Sequence, residues 1–117
     1  MVVDDNVDVA ERISMLLEAS GYAVHIEHEA QRALEHTAKE KPEVCLLDIG
    51  LLEMNGHELA RRIRQLPGMA HAVLIALTGY GQEEDRVHSR AAGFDHHFVK
   101  PIDTAKLALI LGHITAT

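Results

Sequence analysis

The stretch PEVCLLDIG, residues 42–50, decides the fold of this chain. Residues 44–47 form an unbroken apolar run, which is typical of a strand that is buried on both faces. The run ends in a carboxylate, Asp48. A charged residue at the end of a buried strand indicates that the carboxylate has a role at the edge of the sheet.

The remaining chain alternates apolar runs with helical patterns. Strands are predicted at residues 1–3, 23–28, 44–48, 72–78 and 97–100. The inward faces of five predicted helices are Val9, Ile13, Leu16, Leu17 and Ser20; Ala30, Ala33, Leu34, Thr37 and Ala38; Leu59, Ile63 and Leu66; Val87 and Ala91, within residues 83–92; and Leu107, Ile110, Leu111 and Ile114. Alternation of this kind predicts an α/β fold with a mostly parallel sheet covered on both faces by helices.

Composition sets the size and class of the protein. The 117 residues, of which 47% are hydrophobic, suffice for one core, so we expect one domain over residues 1–117. The net charge of -7 argues against direct nucleic-acid binding. We find no membrane span and no signal peptide, so we expect a cytoplasmic protein. The single cysteine, Cys45, lies within the apolar run and is predicted to be a buried packing residue.

Polar residues follow four of the predicted strands. Asp4 and Asp5 follow the first strand, Asp48 ends the third, Thr78 ends the fourth and Lys100 ends the fifth. Because parallel strands point the same way, their carboxyl ends share one edge of the sheet, where doubly wound folds bind ligands. The sequence therefore predicts that these five residues surround one pocket.

Three carboxylates in one pocket repel one another unless a cation lies among them. Mg²⁺ (or Mn²⁺) is the expected ion, because Mg²⁺ takes one or two carboxylates, several waters and a phosphate oxygen. Phosphoryl chemistry is the leading interpretation, since a carboxylate can be the nucleophile that becomes an aspartyl phosphate.

Four motifs resemble, in order and spacing, the receiver domains of two-component response regulators and hybrid histidine kinases. They are VVDDN at residues 2–6, LLDIGLLEMNG at 46–56, ALTG at 76–79 and FVKPID at 98–103. The resemblance covers essentially the whole chain. It implies a flavodoxin-like fold with sheet order 2-1-3-4-5.

The resemblance also implies roles for individual residues. Asp48 would be the phosphoacceptor, taking its phosphoryl group from a phosphohistidine of a histidine kinase or a histidine phosphotransfer domain. Asp4, Asp5, Asp48 and the backbone carbonyl of Gly50 would bind the metal. Thr78 and Lys100 would contact the phosphoryl group, and Thr78 and His97 would form the conformational switch. The domain would catalyse much of its own phosphorylation and dephosphorylation.

The chain departs from the family pattern at two positions. Leu52 stands where the family usually has proline, and His97 where it usually has tyrosine or phenylalanine. A histidine near this position resembles some receivers of hybrid kinases and favours a phosphorelay origin. The resemblance further predicts a cis peptide bond between Lys100 and Pro101.

Several of these residues have simpler interpretations. Asp5 or Asn6 could cap the first helix, and Asp48 could cap a turn. Among the nine histidines, only His96 and His97 are close in sequence, and adjacent strand residues point to opposite faces, which disfavours a metal site there. The alternative function is a receiver-like interaction module that no longer accepts a phosphoryl group.

Overall fold

A five-stranded parallel sheet forms the centre of the molecule. The computed structural model describes residues 1–51, 54–78, 90–100 and 102–115. In chain order the strands are β1 (Val2–Val3), β2 (Ile26–Glu27), β3 (Val44–Asp48), β4 (Val73–Thr78) and β5 (His96–Val99). Their spatial order is β2-β1-β3-β4-β5, which confirms the flavodoxin-like sheet expected from the sequence.

Helices connect these strands. The described parts of the chain contain α1 (Val7–Ala19), α2 (Ala30–Glu40), α3 (Gly56–Gln65) and α4 (Thr104–Thr115). Residues 90–92 are also helical and coincide with the end of the helix predicted at 83–92. The rest of that helix, Leu52 and the peptide bond to Pro101 lie outside the described residues.

Strand register separates the core into two layers, one on each face of the sheet. Val2 pairs with Leu46, which pairs with Ile75, and all three pack against α1 and α4. Val3, Leu47 and Ala76 form the next row and pack against α2 and α3. Successive strand residues point to opposite faces, so the apolar runs fill both layers.

The cysteine in the central strand is a packing residue, as predicted. Cys45 is fully buried in the layer beneath α2 and α3. Burial raises the pKa of its thiol to about 11, because the thiolate would lose its hydration. The thiol is therefore protonated at neutral pH and unreactive.

The predicted strand at residues 23–28 is longer than the observed one. Only Ile26–Glu27 form β2, opposite Val2 and Val3 of β1. An edge strand has one neighbour, and β1 offers only two residues for pairing. The fifth strand also differs by one residue, since it begins at His96 and ends at Val99, before Lys100.

The buried faces of three helices differ from the predicted faces. On α1, Leu16 is 46% exposed and Ser20 is exposed, whereas Ala10 and Ser14 are buried beside Ile13. The small side chains of Ala10 and Ser14 let the helix approach the sheet on their side. On α2, Ala38 is exposed although it was predicted to face inward. In the helix that ends at residue 92, Ala91 is exposed, and Ala92, the residue before Gly93, is buried instead. Ile114 lies in α4, but its side chain is outside the described part.

Candidate functional site

Two strands end in carboxylates that lie at the carboxyl edge of the sheet. Asp4 directly follows β1, and its N–H donates to the carbonyl of Glu27, 3.1 Å away. Asp48 is the last residue of β3 and pairs with Leu77 of β4. Asp4 is 0% exposed and Asp48 is 5% exposed. Both carboxylates therefore lie at a sheet edge that is largely closed to solvent.

Four of the predicted site residues meet at this edge. Carboxylate oxygens of Asp4, Asp5 and Asp48 lie within 4.8 Å of one another. The Lys100 Nζ lies 2.7 Å from Asp4 Oδ2 and 3.5 Å from Asp48 Oδ1. The ammonium thus contacts two of the three carboxylates, and the four side chains together carry an excess of acidic groups.

Thr78 is the fifth predicted residue and contacts the neighbouring strand. Its hydroxyl is fully buried and donates to the carbonyl of Phe98, 3.3 Å away. The same oxygen lies 3.4 Å from Nε2 of His97. The backbone carbonyl of Thr78 accepts from the N–H of Lys100 at 2.7 Å. Thr78 therefore touches both the predicted switch residue and the strand end that carries the lysine.

The simpler interpretations of these residues are partly correct. Asp48 Oδ1 accepts from the Gly50 N–H at 3.0 Å, so this carboxylate does cap a turn. Asn6, and not Asp5, caps α1 by accepting from the Val9 N–H at 3.2 Å. Asp48 both caps the turn and belongs to the acidic cluster, because the turn uses only one of its carboxylate oxygens.

The loop after β3 is held by a close backbone contact. The Gly56 N–H donates to the carbonyl of Ile49 at 2.9 Å. A Cβ at Gly56 would lie 2.6 Å from Ile49 Cα and 2.7 Å from the carbonyl oxygen of Asp48. Only glycine allows this approach, so the NG pair in the motif fixes the position of the backbone that carries Asp48.

The pKa of the Asp48 carboxyl is raised above its ordinary value of 3.8. Burial is the main cause that raises its pKa, and the final value is about 6. The Gly50 N–H and Lys100 lower this pKa, whereas the charges of Asp4 and Asp5 raise it. An added cation would favour the ionised form. The donor set of hard carboxylate oxygens fits Mg²⁺, since Asp4, Asp5 and Asp48 already converge.

The sequence pattern did not single out one residue at this edge, His28. The Nδ1 of His28 lies 2.8 Å from the carbonyl oxygen of Asp4. His28 follows β2 directly, so the argument that strand ends share one edge applies to it as well. Applying that argument to all five strands would have included His28.

A model of the response regulator receiver domain matches residues 1–111. This protein belongs to the response regulator receiver domain family. The match covers most of the chain and includes every residue of the site described above. Its fold and the family agree, because receiver domains have the five-stranded flavodoxin-like sheet observed here.

Similar proteins extend this assignment. The chain is 36% identical over 107 residues to a 14.6 kDa protein from the sodA1 3′ region of Leptolyngbya boryana, covering 92% of this chain and 82% of that protein. It is 34% identical over 106 residues to the phosphate regulon transcriptional regulatory protein PhoB of Rhizobium meliloti, covering 91% of this chain and 47% of the regulator. The receiver domain thus spans about half the length of that relative.

A solved structure supports the same assignment. The receiver domain protein (CheY-like) of Methanospirillum hungatei JF-1 matches with a TM-score of 0.84 and 33% identity, covering 96% of this chain and 88% of that one. The protein is therefore a receiver domain of two-component signalling. None of the helices that the structure describes has the length and apolarity needed to cross a bilayer.

Proposed function

We propose that this receiver domain accepts a phosphoryl group on Asp48 from a phosphohistidine of a histidine kinase or histidine phosphotransfer domain. The observation that carries the proposal is the position of Asp48, which shares its pocket with two carboxylates and lies 3.5 Å from the Lys100 ammonium. A buried carboxylate in this setting has no structural need for two acidic neighbours. Its neighbours instead suit a phosphoryl group and the cation that accompanies it.

The transfer step follows from this arrangement. A carboxylate oxygen of Asp48 attacks the phosphorus atom, the bond between phosphorus and the donor's imidazole nitrogen breaks, and the imidazole leaves with the electron pair. With a pKa of about 6, Asp48 is mostly ionised at pH 7 and available as the nucleophile. The remaining catalytic requirement is positioning and charge neutralisation.

The other pocket residues meet this requirement. Lys100 lies against Asp4 and Asp48 and is within reach of an added phosphoryl oxygen. Asp4, Asp5, Asp48 and the carbonyl of Gly50 would hold Mg²⁺ (or Mn²⁺), which when bound supplies positive charge for the phosphoryl oxygens. The Gly50 N–H already orients Asp48 through the turn.

Phosphorylation would be reported through Thr78 and His97. Their contact at 3.4 Å links the end of β4 to β5. We propose that Thr78 moves toward the phosphoryl group and that His97 moves into the space it leaves. A packing element with two arrangements, biased by local charge, is a common switch in proteins.

The proposal also covers the extent, location and output of the domain. We propose that residues 1–117 form a single receiver domain that acts in the cytoplasm, binds no nucleic acid itself and passes its signal to a partner or a parent chain such as a hybrid kinase. The net charge of -7 supports an output without direct contact to nucleic acid. Its catalysis would be limited to its own phosphorylation and dephosphorylation.

A small phosphodonor tests the proposal. Wild-type protein incubated with acetyl phosphate should become phosphorylated with Mg²⁺ and remain unmodified in excess EDTA. The Asp48→Asn variant should remain unmodified in both conditions, because the amide is not a nucleophile. Intact-protein mass spectrometry reads the result. An unmodified wild-type protein in Mg²⁺ would favour the alternative, a receiver-like interaction module that does not accept a phosphoryl group.

A further inference from the structure

Two histidines and a glutamate form a second cluster of potential ligands, made of residues that the phosphoryl site does not use. His25 and Glu27 lie two residues apart at the edge strand β2, so their side chains leave the same face of the sheet. His36 lies on α2, which packs over that face. One potential ligand atom from each residue lies within 4.8 Å of the other two.

The side chain of His25 already contacts the other two. The rings of His25 and His36 stack with centroids 3.6 Å apart and planes 6° from parallel. The Nε2 of His25 lies 2.5 Å from Oε2 of Glu27. The His25 and Glu27 side chains are 44% and 18% exposed, respectively, so solutes can reach the cluster.

The surroundings of His36 favour its neutral form. Burial lowers the pKa of its imidazole, and the neighbouring His25 lowers it further. A neutral imidazole keeps a lone pair for coordination. A stacked pair of imidazoles also avoids charge repulsion when one of its rings is neutral.

We propose that His25, Glu27 and His36 form a binding site for a divalent transition-metal ion, with Zn²⁺ as the expected ion. Two imidazole nitrogens and one carboxylate oxygen are the donor types that Zn²⁺ accepts, and water would complete its coordination. Imidazole donors favour Zn²⁺ over Mg²⁺, which prefers oxygen ligands. The cluster thus differs in ion preference from the all-carboxylate pocket.

Binding requires only a small rearrangement. Zinc bonds of roughly 2.0–2.2 Å place donor atoms closer together than 4.8 Å, so the three side chains must converge. Two parallel rings cannot direct their lone pairs to one point, so the His25 and His36 rings must also turn out of their stack. Both movements are rotations of partly exposed side chains and leave β2 and α2 in place.

Calorimetric titration of the whole chain with Zn²⁺ tests the proposal, with excess Mg²⁺ present to occupy the acidic pocket. Wild-type protein should bind Zn²⁺, and His36→Gln should weaken the affinity at least about tenfold. The Glu27→Gln variant should weaken it in the same direction and serves if His36→Gln fails to fold. His71→Gln, which removes an exposed loop histidine, should bind as wild type does.

The Asp48→Asn variant distinguishes the proposed zinc site from the acidic pocket. This variant should retain the Zn²⁺ affinity of the wild type, because it alters only the acidic pocket. Co²⁺ in place of Zn²⁺ should give a visible absorption band that His36→Gln loses. The proposal is wrong if wild type does not bind Zn²⁺, if His36→Gln and Glu27→Gln both bind as tightly as His71→Gln, or if Asp48→Asn abolishes binding.

Discussion

Asp48 illustrates how one side chain can satisfy a local and a global requirement at once. One carboxylate oxygen caps the turn by accepting from Gly50 at 3.0 Å, and the carboxylate also joins Asp4 and Asp5 in the acidic cluster. Capping preferences alone predict the turn. The cluster follows only from the parallel strand order, which brings residues 44 positions apart to one edge.

The raised pKa of Asp48 gives a prediction for protein stability. Well below pH 3.8 the carboxyl is protonated in both the folded and the unfolded state. As the pH rises from about 3.8 to about 6, the unfolded chain ionises this carboxyl while the folded protein keeps it protonated, so the folded state loses stability over this window. Without divalent metal, Asp48→Asn should therefore be more stable than wild type at pH 7.5, by roughly 1–3 kcal/mol.

Urea unfolding in EDTA at pH 7.5 and pH 4.5 measures this difference. The advantage of Asp48→Asn should be clearly smaller at pH 4.5, and Mg²⁺ at pH 7.5 should reduce it by stabilising the wild type. An advantage of equal size at both pH values would show that ionisation of Asp48 is not its cause.

At the scale of the elements, Arg64 joins the end of α3 to the starts of two strands. Its guanidinium donates to the carbonyl oxygens of Gly93, Ala70 and Ala72, and to Asp95 Oδ2 at 2.8 Å. Asp95 in turn accepts from the Leu74 N–H at 2.9 Å. The helix pattern predicted α3 correctly, but this link could not be predicted, because the partners Gly93 and Asp95 lie 29 and 31 residues away in sequence.

Removing this link should destabilise the fold. Arg64→Ala leaves several backbone carbonyls without their donor, and we expect a loss of about 2–3 kcal/mol in the free energy of unfolding. Arg61→Ala is the matched control, since Arg61 lies on the same helix and makes an exposed ion pair with Glu58 at 3.4 Å. It should cost less than about 0.5 kcal/mol. Chemical denaturation compares the two, and equal losses would contradict the role given to Arg64.

Other elements were predicted less well because their limits also depend on residues that lie far apart in sequence. The apolar pattern overestimated the strand at 23–28, because pairing depends on the two residues that β1 offers. It also placed Leu16 inward, because a pattern does not show which small residues let a helix approach the sheet. Element type followed from local sequence, whereas strand length and helix rotation depended on neighbours that sequence patterns do not identify.

At the scale of the whole molecule, the acidic pocket was predictable because the carboxyl ends of parallel strands share one edge, and the sheet order was predictable from the family resemblance. The His25–His36 pair was not, since it depends on how α2 lies over β2. Sequence proximity instead drew attention to His96 and His97, which occupy neighbouring positions in β5 and so point to opposite faces. Contacts between a strand and a helix require the packed structure.

At the same scale, the proposed switch between Thr78 and His97 should depend on pH. His97 contacts Thr78 at 3.4 Å, and a protonated imidazole would lose hydration on moving inward. In the beryllofluoride-bound state, the inward population of His97 should therefore fall as pH drops below neutrality. His97→Phe should weaken this dependence, whereas His96→Gln, which alters the opposite face, should retain it. NMR shifts of the Thr78 methyl group across pH measure this population, and identical titrations of wild type and His97→Phe would exclude the histidine as its cause.

Chemical mapping of the phosphorylated residue tests the central claim most directly. Borohydride reduces an aspartyl phosphate to homoserine, so protein treated with acetyl phosphate and Mg²⁺, then reduced and digested, reports the acceptor by peptide mass spectrometry. The account predicts homoserine at position 48, none at positions 4 and 5, and none anywhere when Mg²⁺ is replaced by EDTA. Homoserine at Asp4 or Asp5 with Asp48 unmodified would contradict it.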